Sequence, residues 1–239
     1  MTYKEIFTLA VPKEKRDEDK FAFVSTYLSR PISIFITKPL LKTDIRATSV
    51  TKLSVFFLLV AFFLLVLGDC ITIHLAGWIF LFLWAILDHV DGNIARIKND
   101  CSLLGDLWDT MGGYLAMIVM YFAAGILAFR GHITTNFFDL PIYLILGGAT
   151  SLFSIFPRLM MHKKKSSVKE AKIVNELTDK KNFNLPKIFV LNLLAPTDGL
   201  LFIFLISLLL NLFDYFLGLY FILNLLVMII ALRGILREE

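Results

Sequence analysis

Apolar residues along the chain fall into long blocks separated by short polar links, rather than spreading evenly as they do in a soluble domain. A helix needs roughly 20 mainly apolar residues to cross about 30 Å of bilayer hydrocarbon, because each residue rises about 1.5 Å along the axis. Six blocks approach or exceed this length, at about 50–67, 73–94, 104–129, 140–159, 188–212 and 215–232. The pattern therefore predicts an all-α integral membrane protein with six transmembrane helices.

The segments outside these blocks predict a simple domain organisation. Residues 31–41 are apolar but too short to cross the bilayer, which favours an interfacial helix along the membrane surface. This helix and the polar residues before it form a cytosolic lead-in at 1–49, followed by a six-helix membrane domain at 50–239. The polar, lysine-rich stretch 158–187 separates the fourth and fifth blocks and is predicted to be a soluble loop.

The distribution of Lys and Arg predicts the orientation of the helices. These residues concentrate before the first block, after Arg96, in the stretch 158–187 and in the C-terminal tail, whereas the links near Asp69 and Asn211 carry almost none. An even number of spans and the positive-inside tendency predict that both termini face the cytoplasm. The formal net charge of +4 is small for a nucleic-acid-binding protein. Basic residues beside apolar blocks favour contact with anionic membrane lipids instead, and no nucleic-acid partner is expected.

Ionisable residues are concentrated where the second and third blocks meet. The second block ends in DHVDGNIAR at 88–96, and the third opens with GDLWD at 105–109. Charged groups at membrane depth are costly unless they are paired, hydrated or bound to a cation, so they indicate a functional site. Asp88 and Asp91 are three residues apart and share a helix face, which Gly92 and Ala95 continue.

A third carboxylate, that of Asp109, comes from the next helix of the chain. The two helices are antiparallel neighbours joined by a short link, so Asp109 is expected to converge on Asp88 and Asp91. Hard cations such as Mg²⁺ or Mn²⁺ prefer such oxygen ligands and complete their shell with substrate phosphates and water. The pattern therefore predicts a metal site that takes a phosphate-bearing substrate.

The spacing of these residues resembles the signature of the CDP-alcohol phosphotransferase (CDP-alcohol phosphatidyltransferase) family, D-x2-D-G-x2-A-R-x8-G-x3-D-x3-D, which runs across two consecutive transmembrane helices. The chain has the signature residue at seven of the eight fixed positions: Asp88, Asp91, Gly92, Ala95, Arg96, Gly105 and Asp109. The motif covers about 26 residues, and the expected six spans and cytosolic lead-in extend the likeness over most of the chain.

The resemblance implies metal-dependent transfer of a phosphate-linked group from a CDP-activated donor to an alcohol acceptor, with release of CMP. The product would be a phospholipid or a lipid-linked precursor of a surface polymer, so at least one substrate is a lipid. The resemblance also implies a possible homodimer, and the predicted orientation of the helices makes the active site face the cytoplasm. By resemblance, the metal ligands and catalytic residues are Asp88, Asp91 and Asp109. The CDP moiety would be bound by Asp91, Gly92, Ala95, Arg96 and Gly105.

One position departs from the signature, because Gly113 stands where the family has a fourth Asp, its expected general base. Three interpretations stay open. Another residue substitutes, with Asp106 and His89 as candidates. Alternatively, the substrate or a metal-bound water supplies the missing function, and Gly112 with Gly113 makes room for a bulkier acceptor. In the third, the chain is a weak or inactive relative that binds nucleotide or lipid as a partner or scaffold.

A second departure from the family, Arg158 and the carboxylates themselves add further alternatives. Many family members carry Thr-Pro-Asn before the first span, where this chain has Arg46, Ala47 and Thr48, although Thr48 and Thr51 could still contact a phosphate. Arg158 could bind an anionic acceptor, or anchor its helix at the cytosolic surface. The same carboxylates could also line a cation or proton pathway, but the glycines and the arginine of the signature would then be coincidental.

Overall fold

In a computed structural model, residues 1–12, 22, 24–100, 102–131, 140–165 and 185–236 are described, and these contain helices and no strand. The helices are α1 (Tyr3–Ala10), α2 (Arg30–Leu40), α3 (Ala47–Leu67), α4 (Ile71–Lys98), α5 (Leu103–Phe129), α6 (Leu140–Lys165), α7 (Leu185–Leu193), α8 (Gly199–Leu210) and α9 (Phe213–Leu236). A π-helical turn, Ser25–Ser29, leads into α2. The prediction of an all-α protein is confirmed.

Within the described residues, five helical segments are long and apolar enough to cross a membrane: Ala47–Leu67, Ile71–Lys98, Leu103–Phe129, Ile142–Lys163 and Phe213–Arg233. They confirm the membrane class and match the predicted first, second, third, fourth and sixth spans. A shorter apolar helix, Gly199–Leu210, lies in the region of the predicted fifth span.

The predicted fifth span at 188–212 is not a continuous helix. Helix α7 ends at Leu193 and α8 begins at Gly199. Pro196 lies between them, and proline has no N–H and disfavours helical geometry in the residue before it. A Cβ at Gly199 would lie 2.7 Å from the carbonyl oxygen of Asn192 and 2.9 Å from the Cα of Leu193, so the close turn requires glycine.

Two helices, α1 and the C-terminal part of α6, differ from the predicted pattern. Helix α1 is not among the predicted elements, although Thr2 and Glu5 form a capping box at its start. Helix α6 continues to Lys165, so the first part of the predicted loop at 158–187 is helical. Residues 166–184 of that loop lie outside the described residues.

The chain divides into two compact units, of which the first comprises Met1–Ala116 and Leu185–Phe202. In this unit α3 and α4 pack side by side, and α1 and α2 both contact α4. The apolar core beneath these helices is formed by Ala47, Val50, Ile86, Val90 and Ile94. Helix α2 confirms the predicted helix at 31–41, and its position along the membrane surface stays a prediction.

The second unit comprises Met117–Asn184 and Ile203–Glu239. Within it, α6 packs against α9, and α5 approaches α6 most closely at Gly125 and Gly147. A Cβ at Gly125 would lie 2.8 Å from the carbonyl oxygen of Tyr143, and one at Gly147 would lie 2.8 Å from that of Tyr121. Small residues therefore allow the two helix backbones to touch, as is common in membranes.

Candidate active site

The signature residues lie at one end of α4 and at the start of α5. Helix α4 has 28 residues, so it is about 42 Å long at 1.5 Å per residue, which exceeds the roughly 30 Å of bilayer hydrocarbon. If its apolar N-terminal part fills the bilayer, its charged C-terminal part, 88–98, reaches the membrane surface. Water and phosphate groups can approach the signature residues there.

The first contact around the signature is at Gly105, where α5 meets α3. A Cβ on Gly105 would lie 3.4 Å from Oγ1 of Thr48 and 3.1 Å from Oγ of Ser102. The backbone N–H of Gly105 donates a hydrogen bond to Ser102 Oγ at 3.0 Å. The small residue at this signature position therefore brings the first turns of α3 and α5 together, and contact of Thr48 with a phosphate stays a prediction.

The second contact centres on Asp91, which is only 4% exposed. Its carboxyl group lies near the Thr51 side chain and close enough to Asp109 and Arg96 to interact electrostatically with both. The convergence of Asp109 on Asp88 and Asp91 stays a prediction, with which this electrostatic interaction agrees. Among the described residues, no donor pairs with Oδ2 of Asp91. A buried, unsatisfied carboxylate oxygen is costly, which suits a position that a cation or substrate group completes.

The three predicted metal ligands, Asp88, Asp91 and Asp109, differ in how exposed they are. Asp88 is half-buried on α4, while Asp109 is exposed on α5. No three His, Cys, Asp or Glu side chains within the described ranges form a group that could hold a metal ion. The chemistry of the donor set and the orphaned oxygen of Asp91 fit one side of a Mg²⁺ or Mn²⁺ site. Joint coordination by the three aspartates stays a prediction.

The guanidinium of Arg96 lies across Gly92. A Cβ on Gly92 would lie 3.1 Å from Nη2 and 3.2 Å from Nη1 of Arg96. Nε of Arg96 donates to the backbone carbonyl of Ala10 at 2.5 Å, and Nη2 donates to Oδ1 of Asn93 at 3.2 Å. The glycine thus makes space for the arginine, and α1 holds that arginine in place. The remaining predicted CDP-pocket residue of α4, Ala95, packs against the apolar core.

Asn93 is a signature-region residue that sequence reasoning missed. It is buried, and its Nδ2 donates to Ser33 Oγ at 3.2 Å and to Thr37 Oγ1 at 3.3 Å. These bonds connect α2 to the helix that carries the signature, while Asn93 Oδ1 accepts from Arg96. Ser33 and Thr37, two hydroxyl residues four apart on α2, were the available signal.

The third contact is at Gly112, two helical turns after Gly105 along α5. A Cβ on Gly112 would lie 3.4 Å from Cγ2 of Val55 and 3.8 Å from Nε1 of Trp84. A Cβ on Gly113 would have no heavy atom within 4 Å among the described residues. The position at which the family has its fourth Asp is therefore open space. Trp84 is also missed by the sequence reasoning, although it precedes Asp88 by one helical turn on the same face.

The other candidates lie around these contacts. Asp106 is exposed on α5 and His89 is half-buried on α4. Arg158 is half-buried within α6 in the second unit, where its guanidinium contacts the sulfur of Met117. Their roles as a substitute base or as an anion-binding residue stay predictions.

Comparison with known families covers most of the chain. The family model described as CDP-alcohol phosphatidyltransferase matches residues 45–233, from just before α3 into the last turns of α9. The matched region includes every signature residue and all the long apolar helices. No curated protein is significantly similar to the chain.

Proposed function

This chain belongs to the CDP-alcohol phosphatidyltransferase family, and from that premise we propose that it is an active, metal-dependent transferase. The family transfers a phosphate-linked group from a CDP-alcohol to an acceptor in lipid synthesis. For this chain we propose a CDP-activated donor, an alcohol acceptor and release of CMP. At least one substrate is a lipid, because the helices that carry the signature are membrane spans by length and composition.

The buried carboxylate of Asp91 is the observation that carries the proposal. Its carboxyl group contacts the Thr51 side chain and interacts electrostatically with Arg96 and Asp109, and one of its oxygens is satisfied by no described residue. Leaving one buried carboxylate oxygen without a donor costs free energy, and a purely structural role for Asp91 does not offset that cost. A site completed by a bound group accounts for this cost.

The transfer itself needs little covalent chemistry from the protein. The acceptor hydroxyl oxygen forms a bond to the phosphorus that carries the donor's alcohol. The bond from that phosphorus to the oxygen bridging to CMP breaks, and CMP departs with the electron pair. Positioning and charge neutralisation supply most of the rate in such reactions. Arg96 holds a fixed positive charge beside Gly92, because Ala10 and Asn93 orient its guanidinium.

A divalent cation held by Asp88, Asp91 and Asp109 would supply neutralisation of the pyrophosphate charge. The hydroxyl proton leaves to water or to a substrate phosphate oxygen, because position 113 offers no carboxylate. Of the three interpretations of Gly113, we adopt the one in which the glycine makes room for the acceptor. The open space at this position supports it.

Orientation and assembly complete the proposal. The excess of Lys and Arg beside the signature end of α4 supports a site that faces the cytoplasm. Many large apolar side chains are exposed, such as Phe56, Phe63 and Ile230, and they provide surface for lipid and for a second copy of the chain. We propose a homodimer in the membrane.

Purified protein in lipid nanodiscs tests the activity directly. Labelled CDP-diacylglycerol and candidate CDP-alcohols are incubated with Mg²⁺ or Mn²⁺ and a broad panel of alcohols, and CMP release is measured. We expect CMP release that a chelator abolishes. Asp91→Asn should lower the rate at least about 100-fold, because it removes charge that stabilises the transition state. The matched variant Asp69→Asn, on the exposed link after α3, should leave the rate unchanged.

The alternative is a relative that binds nucleotide but does not transfer. Intact nucleotide binding without CMP release from any acceptor would establish that alternative and overturn the proposed activity. The proposal also fails if Asp91→Asn and the wild-type protein release CMP at equal rates.

A further inference from the structure

One buried hydrogen-bond donor near the signature is not used by the proposed chemistry. The indole of Trp84 is 1% exposed, and its Nε1–H has no acceptor among the described residues. Trp78, six residues earlier on the same helix, shows the usual arrangement, because its Nε1 donates to the carbonyl of Leu201 at 3.0 Å. Buried tryptophans usually find such a partner, so the unpaired N–H of Trp84 requires an explanation.

The position of Trp84 points to the acceptor side of the site. Trp84 precedes Asp88 by four residues and Asp91 by seven, so the three side chains share one face of α4. At about 1.5 Å per residue, the indole lies roughly 6 Å deeper in the membrane direction than Asp88. Its Nε1 is 3.8 Å from the Cβ position of Gly112, and the neighbouring Gly113 faces open space.

We infer that the Trp84 N–H donates a hydrogen bond to a neutral oxygen of the acceptor alcohol, which occupies the space beside Gly112 and Gly113. An indole N–H can only donate, so its partner must be an acceptor atom. A hydroxyl or an ester carbonyl suits a site near the acidic residues, where a further anion would be repelled. The inference rests on the proposed function and adds that the acceptor carries a second oxygen beyond its reacting hydroxyl.

A packing role alone does not account for the residue. Phe would fill much of the same apolar space without bringing a polar group into it, and an unsatisfied buried N–H destabilises the ligand-free protein. A donor kept at such a cost is typical of a site in which ligand binding takes priority over stability. The variant Trp84→Phe therefore separates the two roles.

Trp84→Phe should raise the KM for the acceptor about 2- to 12-fold, which is the range for one lost hydrogen bond. The KM for the CDP-linked donor should not change, and the melting temperature of the ligand-free protein should stay the same or rise. The control Trp78→Phe removes a satisfied bond instead, so it should lower the melting temperature and leave the acceptor KM unchanged. Equal acceptor KM values for Trp84→Phe and the wild-type protein would overturn the inference.

A second measurement does not depend on turnover. In the double variant Trp78→Phe/Trp108→Phe, Trp84 is the remaining tryptophan, and its emission reports on the hydrogen bonding of its N–H. Glycerol, a diacylglycerol and the corresponding dialkylglycerol are added in turn in nanodiscs. A red shift with diacylglycerol but not with dialkylglycerol assigns the oxygen to an ester carbonyl, and a shift with glycerol assigns it to a hydroxyl.

No shift with any of the three probes would overturn the inference, whatever the CMP-release assay shows. Conversely, a shift in a protein that releases no CMP would support the binding role of Trp84 and reject the proposed activity. The binding role of Trp84 and the proposed transferase activity can therefore be rejected independently.

Discussion

Replacing Gly113 by Asp restores the residue that the family signature has at this position, and we expect the change to slow the transfer. A Cβ at position 113 meets no described atom within 4 Å, so the new side chain fits without steric strain. Its carboxylate would then occupy the space that we assign to the acceptor alcohol. It would also place a negative charge one helical turn from Asp109.

The expected size of the effect follows from what the carboxylate displaces. Loss of the hydrogen bond between Trp84 and the acceptor corresponds to about a 2- to 12-fold fall in kcat/KM for the acceptor. If the protein were instead slow because Gly113 replaces a general base, introducing Asp at this position would raise the rate about 100- to 10,000-fold. The two explanations thus predict changes of opposite sign.

CMP release at varied acceptor concentration gives kcat/KM for Gly113→Asp, Gly113→Asn and Gly113→Ala. Asn fills the same space without charge and should match Asp, whereas Ala adds one methyl group and should stay within about twofold of wild type. Gly148→Ala is the matched control for Gly113→Ala, because a Cβ at either position meets no described atom within 4 Å and Gly148 lies in the second unit. A faster Gly113→Asp enzyme alongside an unchanged Gly113→Asn enzyme would refute the reasoning.

Two further predictions concern the contacts that support the site and the second unit. Gly125→Ala should destabilise the protein by about 1–3 kcal/mol, because the added methyl group would lie 2.8 Å from the Tyr143 carbonyl oxygen. Thermal unfolding in detergent measures this change. An unfolding temperature equal to that of the wild-type protein would contradict the close contact between α5 and α6. Deletion of residues 1–12 removes the Ala10 carbonyl that orients Arg96 and should raise the KM for the CDP-linked donor roughly tenfold, since hydrogen bonds to charged groups contribute about 1.5 kcal/mol or more. A donor KM that equals the wild-type value would show that α1 does not position Arg96.

Much of the candidate site could be predicted from the sequence because its residues are close in the chain. Asp91 and Gly92 lie on one helix, and Asp109 follows on the next, so helical spacing and a short link suffice to bring them near one another. Ala10 could not be predicted in this way. It lies 86 residues from Arg96, and its contribution is a backbone carbonyl, which carries no sequence signal.

The same limit applies to the predicted fifth span. Hydropathy measures how apolar a segment is, and the residues at 188–212 are apolar on both sides of Pro196. The break between α7 and α8 depends on the backbone, including the close approach of Gly199 to Asn192. The dipeptide Ala195-Pro196 was the local signal for that break.

The sequence by itself determined the membrane class, the family and the acidic face of α4, because these depend on composition and on spacing along a single helix. The tertiary structure decided which signature groups have partners. It placed Arg96 between Ala10 and Asn93, and among the described residues it gave neither Oδ2 of Asp91 nor Nε1–H of Trp84 a hydrogen-bond partner. Hydrogen bonding is short-ranged and directional, so whether a buried group is satisfied depends on atoms that only the packed helices bring together.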